Sequence, residues 1–275
     1  MSAEHPEFPT PSRRTGGRFG TDCSARHAEH WRGIGLSLVV VVATVWLGAT
    51  GQLGLYIHPR YFGFTIVMAV LGLVFVVASF LFSSSFVPST PAAKTTPHRL
   101  ALSVAGSGLL LVMAAVAVLA LPPATLTSAT ATQREVNSGG LDTAEAAQEA
   151  ATLVGTGDYE RLSVKEWVSL LAQSDDPALF TDKGAKLTGF VLPDADDPAN
   201  VFYVARFVVT CCAVDAQPIG VPVYQPGWSN DYDTDDWVQV EGTFTPSPSG
   251  KAAASLAIQP TAITAVEQPS DPYVY

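Results

Sequence analysis

The sequence predicts a membrane protein in two parts: three transmembrane helices, followed by a mostly-β soluble domain, an OB-like small barrel with one short helix. Three observations predict it. Long apolar runs fill the stretch from Gly33 to Leu121. The charge then changes abruptly: residues 1–122 hold eight Lys/Arg and four Asp/Glu, whereas residues 123–275 hold seven and twenty-one. From Ala185 onward, the hydrophobic residues fall in short β-branched and aromatic runs separated by turn residues. The chain has 275 residues and a formal net charge of −10. An acidic soluble part argues against nucleic acid as a partner, because a phosphate backbone needs a basic face.

Residues 1–32, with Pro9, Pro11, Ser12, Gly16, Gly17 and scattered charge, read as a disordered leader. The three-helix transmembrane region is expected over 33–122. Its runs lie at about Gly33–Leu55, Phe62–Phe82 and Leu100–Leu121. Each is uncharged and about 20 residues long, enough for a helix to cross about 30 Å of hydrocarbon. In lipid the backbone must satisfy its own hydrogen bonds, which dictates helix. A cleaved signal peptide fits the first run poorly, since the polar leader and the apolar run both exceed the usual lengths.

The leader carries five Arg, and the stretch between runs two and three carries Lys94, His98 and Arg99. The link between runs one and two, Tyr56-Ile-His-Pro-Arg-Tyr61, carries one. The positive-inside rule then places the N-terminus in the cytoplasm and the C-terminal domain outside the cell, in a multi-pass cell-membrane protein. Two readings of His58 and Arg60 stand at this stage: an interfacial turn between belt aromatics, or a functional pair at the membrane edge. No ionisable side chain lies deep inside a run, so no ion relay is evident in this chain alone.

Pro122-Pro123 ends the third helix. Residues 123–160 read as a linker with a short helix over Thr143–Leu153, and 161–275 as the extracellular β domain. In the latter, Ser163-Val-Lys-Glu166 is a capping box that opens a helix through Gln173, with Trp167, Leu170 and Leu171 on one face. Strands are expected over Ala185–Leu192, Val201–Thr210, Ile219–Tyr224, Trp237–Thr245, Ala253–Ile258 and Ala262–Val266. Gly189 and Gly242 fall inside strands, where glycine marks a bend or bulge. The barrel is the expected closure, with a two-sheet sandwich as the alternative.

Four stretches carry a resemblance: Lys186-Leu-Thr-Gly-Phe-Val191, Ala205-Arg-Phe-Val-Val-Thr-Cys-Cys-Ala-Val-Asp215, Trp237-Val-Gln-Val-Glu-Gly242, and the tail Gln268–Tyr275. With the Tyr-Ile-His-Pro link, their order resembles a bacterial family of unknown function whose members are described as subunits of a two-component membrane permease. The resemblance covers about residues 33–275. It implies a multi-span permease partner protein and an accessory role in which the outer domain gates or hands over a solute. It implies no reaction and no catalytic residue.

Cys211, Cys212 and Asp215 are the candidate metal ligands. Side chains of strand neighbours point to opposite faces, which disfavours two adjacent cysteines on one metal, and a disulfide between neighbours requires a strained turn. Three readings stay open: structural thiols, contact with a thiophilic metal such as zinc or copper, or a vicinal redox pair. All five histidines precede the soluble part, so a complete zinc set is not evident. Asp231-Tyr-Asp-Thr-Asp-Asp236 starts like a calcium loop but lacks Gly at its sixth position and Glu at its twelfth. Asp194, Asp196 and Asp197 read likewise as a solvated turn. The absence of a Gly-x-Ser-x-Gly elbow, a phosphate loop and a soluble-part histidine argues against an enzyme. The alternatives to a permease subunit are a surface protein handling metal or thiol redox through Cys211/Cys212, and a structural envelope-interaction protein. The latter would use aromatics such as Trp228 and Tyr232.

Overall fold

The computed structural model describes residues 22–85, 106, 108–109, 112–117, 125–138, 154, 157–173 and 176–275. Helix α1 spans Asp22–Ala49 and α2 spans Phe62–Ser85. The leader was expected to be disordered as far as residue 32; instead, helix begins at Asp22. Ala, Arg and Glu propagate a helix readily once an apolar segment has nucleated it. Gly72 of α2 faces Val41 of α1, whose Cγ2 lies 3.4 Å from where a Cβ would stand. The segment Pro59–Phe82 is long and apolar enough to cross a membrane, with a mean hydropathy of 2.7, and Gly33–Ala49 is a shorter apolar helix. The third expected span lies mostly outside the described residues; its described residues at 106, 108–109 and 112–117 are helical. The short helix expected over 143–153 lies outside them too.

The chain divides into two compact units. One contains residues 1–46 and 66–122; the other contains 47–65 together with 123–275. The link between α1 and α2 therefore folds with the β domain.

That domain is a six-stranded sheet: β1 Gly184–Pro193, β2 Val201–Val208, β3 Gln217–Tyr224, β4 Trp237–Pro246, β5 Leu256–Ala265 and β6 Tyr273–Val274. β1 pairs antiparallel with β4 through Gly184–Phe190 and with β2 through Phe190–Pro193. β2 pairs with β3, β3 runs parallel to β5, and β5 pairs with β4. Five strands thus form a closed ring of pairings, and β6 adds parallel to β2. The two strands expected over Ala253–Val266 are one strand. Its pairing with β4 shifts register between Glu241 and Gly242, skipping Thr261, so the bulge absorbs the break that Gln259-Pro260 makes in the apolar pattern.

Helix α4, Val164–Gln173, opens on the expected box: Ser163 N–H donates to Glu166 Oε2 at 2.5 Å and Glu166 N–H to Ser163 Oγ at 3.4 Å. It delivers Trp167, fully buried, into the main core beside Phe244, at 4.5 Å between ring centroids. The inner core takes Leu187 and Val191 from β1, Phe202 and Val204 from β2, and Ile258 from β5. A second cluster on the outer face holds Phe190, Leu192, Ala205, Phe207 and Tyr273. β1 and β2 are therefore covered on both sides, which explains why they read as continuous apolar runs.

Part of that cover comes from residues expected to be a loose linker. Residues 125–138 pack as a strap that includes the one-turn helix α3, Ser128–Ala131, with Ala131 fully buried. Composition misled here because Ser, Thr and Ala are small enough to lie flat on a sheet. Arg134 donates to the carbonyls of Val214 and Ala216. The Asn137 side chain both donates to Gly220 O (3.0 Å) and accepts from Gly220 N–H (2.9 Å).

At Gly189 an added Cβ would fall on the Ala205 carbonyl oxygen, and at Gly242 on that of Gln259. These are the points where β1 changes partner and where β4 faces the bulge in β5. Backbone atoms cannot yield as a flexible side chain does. Gly189→Ala and Gly242→Ala should each destabilise the β domain by about 1–3 kcal/mol. Denaturant unfolding of the full chain in detergent, followed by tryptophan fluorescence, measures this; an unchanged midpoint would contradict the packing.

Candidate functional site

β2 ends at Val208, so Cys211 and Cys212 do not lie in a strand and the alternation that separates neighbouring side chains does not apply to them. They sit in the turn between β2 and β3, shaped by Asp215. Its Oδ2 accepts the Cys211 N–H at 2.8 Å, and its Oδ1 accepts those of Thr210 at 3.3 Å and Cys212 at 3.4 Å. The Asp215 N–H returns a bond to Cys212 O at 3.0 Å. The two sulfurs lie 3.6 Å apart as free thiols. The donor atoms of Cys211, Cys212 and Asp215 all lie within 4.8 Å of one another, the one such group among the described residues.

The electrostatics follow from this packing. The Asp215 carboxylate, the Cys212 thiol and some desolvation push the Cys211 thiol up to about 12. Partial burial acts to raise Asp215, but the Cys211 thiol and the turn amides outweigh it and hold the carboxyl below its ordinary value. At neutral pH the site is therefore a carboxylate beside a protonated Cys211. That state is a poor nucleophile, which weighs against the redox reading.

The other wall comes from the link between α1 and α2, well over a hundred residues away in sequence. Ile57 bridges Cys212 antiparallel, His58 N–H donates to Cys211 O at 3.1 Å, and Ala213 N–H donates to Tyr56 O at 2.9 Å. His58 Nδ1 accepts the Arg60 N–H at 3.1 Å, and its ring meets Tyr275 edge-on at 4.9 Å. Tyr275 OH donates to Gly54 O at 2.9 Å, and Lys165 Nζ donates to the Tyr275 carbonyl at 2.6 Å. Partial burial, then Arg60 and Lys165, lower the His58 pKa, with Asp215 opposing, so the ring is neutral at pH 7. The interfacial-turn reading of this link missed that it folds onto the thiol turn. The signal was present: Tyr-Ile-His-Pro and Cys-Cys-x-x-Asp belong to the same family resemblance.

Several carboxylates of the acidic turns are committed internally. Asp235 accepts from the N–H (2.6 Å) and Oγ (2.7 Å) of Ser128. Asp236 accepts from Asp233 N–H, and Asp194 from the N–H groups of Asp196 and Asp197. Trp228 is no exposed platform: it is buried against Phe202, with its Nε1 donating to Pro198 O at 3.0 Å.

The N-terminal domain of the DUF1980 family matches residues 32–137, and its C-terminal domain matches residues 144–275. The chain belongs to the DUF1980 family. DUF1980 is a family of unknown function, and no curated protein or solved structure matches the chain. The two DUF1980 domains share this site. The link and the strap that braces Val214 and Ala216 fall in the first, and the thiol turn falls in the second.

Because the folded pKa of Asp215 is depressed, its contribution to stability is present above the ordinary carboxylate range and is lost as pH falls through the folded value. Asp215→Asn should lower stability at pH 7 by about 1–2 kcal/mol, the size of a lost backbone cap. The difference from wild type should shrink below about pH 4. In a Cys23→Ser/Cys212→Ser background, Asp215→Asn should also speed alkylation of Cys211. Thermal unfolding across pH and iodoacetamide rates report the two effects, and a pH-independent difference would count against this role of the carboxylate.

Proposed function

We propose that the chain is a membrane-anchored accessory subunit of a permease complex whose extracytoplasmic OB-like domain receives or hands over a thiophilic metal ion at Cys211, Cys212 and Asp215. The observation that carries this reading is the sulfur spacing. Two thiolates bound at about 2.3 Å to one tetrahedral zinc lie about 3.8 Å apart, and Cys211 and Cys212 stand at 3.6 Å. Asp215 adds an oxygen ligand. Three of the roughly four lone-pair sites of a carboxylate are spent on turn amides, and the Cys211 thiol takes up the remainder until metal entry removes its proton. Soft sulfur donors favour zinc or copper(I) over calcium or magnesium. Metal entry displaces the thiol protons, so affinity should rise with pH.

Three further observations support the rest of the reading. The ring of pairings β1–β2–β3–β5–β4–β1, with β3 and β5 parallel, supports an OB-type barrel. Large apolar side chains such as Phe64, Phe75 and Phe82 are exposed along α2, which favours a lipid environment, and the apolar run at 100–121 supplies a third span. The Arg-rich leader favours a cytoplasmic N-terminus and an outer β domain. Spans without a charged pathway need a separate multi-span partner to carry a solute, consistent with the family resemblance. No enzyme activity is proposed.

The full chain purified in detergent should bind about one zinc per chain, measured by elemental analysis after equilibrium dialysis, and the Cys211→Ser/Cys212→Ser variant should lose it. Absence of zinc in the wild type, or its retention in the variant, would overturn the metal role. For the complex, affinity purification under gentle detergent should recover a multi-span partner identified by mass spectrometry. Recovery as a lone monomer would oppose the subunit role.

A further inference from the structure

We propose that the turn carrying Cys211 and Cys212 is a membrane-contact surface, with Val214 entering the headgroup layer of the bilayer beside Tyr56 and Tyr61. The proposal rests on the membrane-spanning reading of α2 and is independent of metal binding. Val214 is 81% exposed, more than any other large apolar side chain among the described residues, those of α2 included. A lone exposed valine is ordinary; its position in the fold is what gives this one a partner.

The apolar segment long enough to cross a membrane begins at Pro59. The residue before it, His58, donates its N–H to Cys211 O at 3.1 Å, and Ala213 N–H donates to Tyr56 O at 2.9 Å. The thiol turn is thus bonded through its backbone to the chain at the point where the span starts. Residues 47–65, which include the last residues of α1 and the first of α2, belong to the same compact unit as the turn. Within it Leu53 is buried and Tyr275 OH donates to Gly54 O, so the link is fixed on the domain. The hydrocarbon core is about 30 Å thick and the whole bilayer about 40–45 Å, so a headgroup layer extends about 5–8 Å beyond the start of a span. Val214 follows Cys211 by no more than about 10 Å of chain, which keeps it within reach of that layer.

The surroundings suit a lipid surface. Tyr56 and Tyr61 are each 36% exposed, and amphipathic aromatics of this kind settle at headgroup level. Arg60 is exposed with them, its guanidinium 5.9 Å from the centre of the Tyr61 ring, and a long cationic side chain at a membrane edge reaches the lipid phosphates. Arg134, from the strap, donates to the Val214 carbonyl, so the valine is presented on a braced turn. A metal ion held by the two thiols then stands at the membrane surface, where a multi-span partner can take it without passage through bulk water.

Spin-label accessibility of the full chain in phosphatidylcholine nanodiscs tests the contact, in a Cys23→Ser/Cys211→Ser/Cys212→Ser background. Labels are placed by Val214→Cys, by Val74→Cys on the exposed side of α2, and by Ala195→Cys. Ala195 is exposed in the turn at the opposite end of β2, about 25 Å of strand away. The ratio of collisions with oxygen to collisions with a water-soluble nickel chelate should be several-fold higher at 214 and at 74 than at 195. A high ratio at 74 with 214 matching 195 would overturn the contact alone; a low ratio at 74 would overturn the span and the contact with it. A benzophenone amino acid at position 214 of the otherwise unchanged chain keeps the native thiols, and so serves even where the serine background fails to fold. Under ultraviolet light in cell membranes it should yield lipid adducts, and the same group at 195 none. Adducts to polypeptide alone at 214 would overturn lipid as the occupant.

Discussion

Asp215 holds the turn after β2 by gathering the amides of Thr210, Cys211 and Cys212 on its two oxygens. Both thiols take their positions from that capture. An extended chain would send the two side chains to opposite sides; the curled turn brings the sulfurs together. The same curl presents the Cys211 carbonyl and the Ala213 N–H outward, where the Tyr56–His58 link pairs with them. One carboxylate thus fixes the local geometry, sets the protonation of Cys211 and creates the edge on which a distant segment docks.

The turn is braced from behind as well. Arg134 reaches from the strap to the carbonyls of Val214 and Ala216, on either side of Asp215. Tyr273 packs on Phe207, and its hydroxyl accepts the Leu126 N–H at 3.0 Å. Strap and tail therefore cover the outer face of β2 next to the site. Side chains locked by their surroundings keep a fixed geometry better than a free loop can, and here the surroundings are drawn from separated stretches of the chain.

Much of this fold was legible in the sequence. β-branched and aromatic runs marked β1, β2 and β4 nearly to the residue, and Ser163 and Glu166 marked the start of α4. What escaped depended on contacts that periodicity does not encode. Gln259-Pro260 looked like a break because a bulge facing Gly242 has no one-dimensional signature. The strap looked like a linker because Ala131 and Asn137 matter only once β2 and β3 lie beneath them. Cys211 and Cys212 were visible as candidates, but their spacing followed from reading them as strand residues, an error of a few positions in the end of β2. His58 was visible as a residue with two readings, but no local pattern joins residue 58 to residue 211.

Asn137 has a consequence of its own. Its amide offers Gly220 one hydrogen and takes one back, so a side chain impersonates a stretch of peptide along the β3 border. Only a carboxamide of that length can play both parts. Hydrolysis to the acid, a slow chemical ageing to which asparagine is prone, would set an anionic oxygen against the Gly220 carbonyl. The strap would begin to peel from the sheet at that residue, before any core side chain had moved.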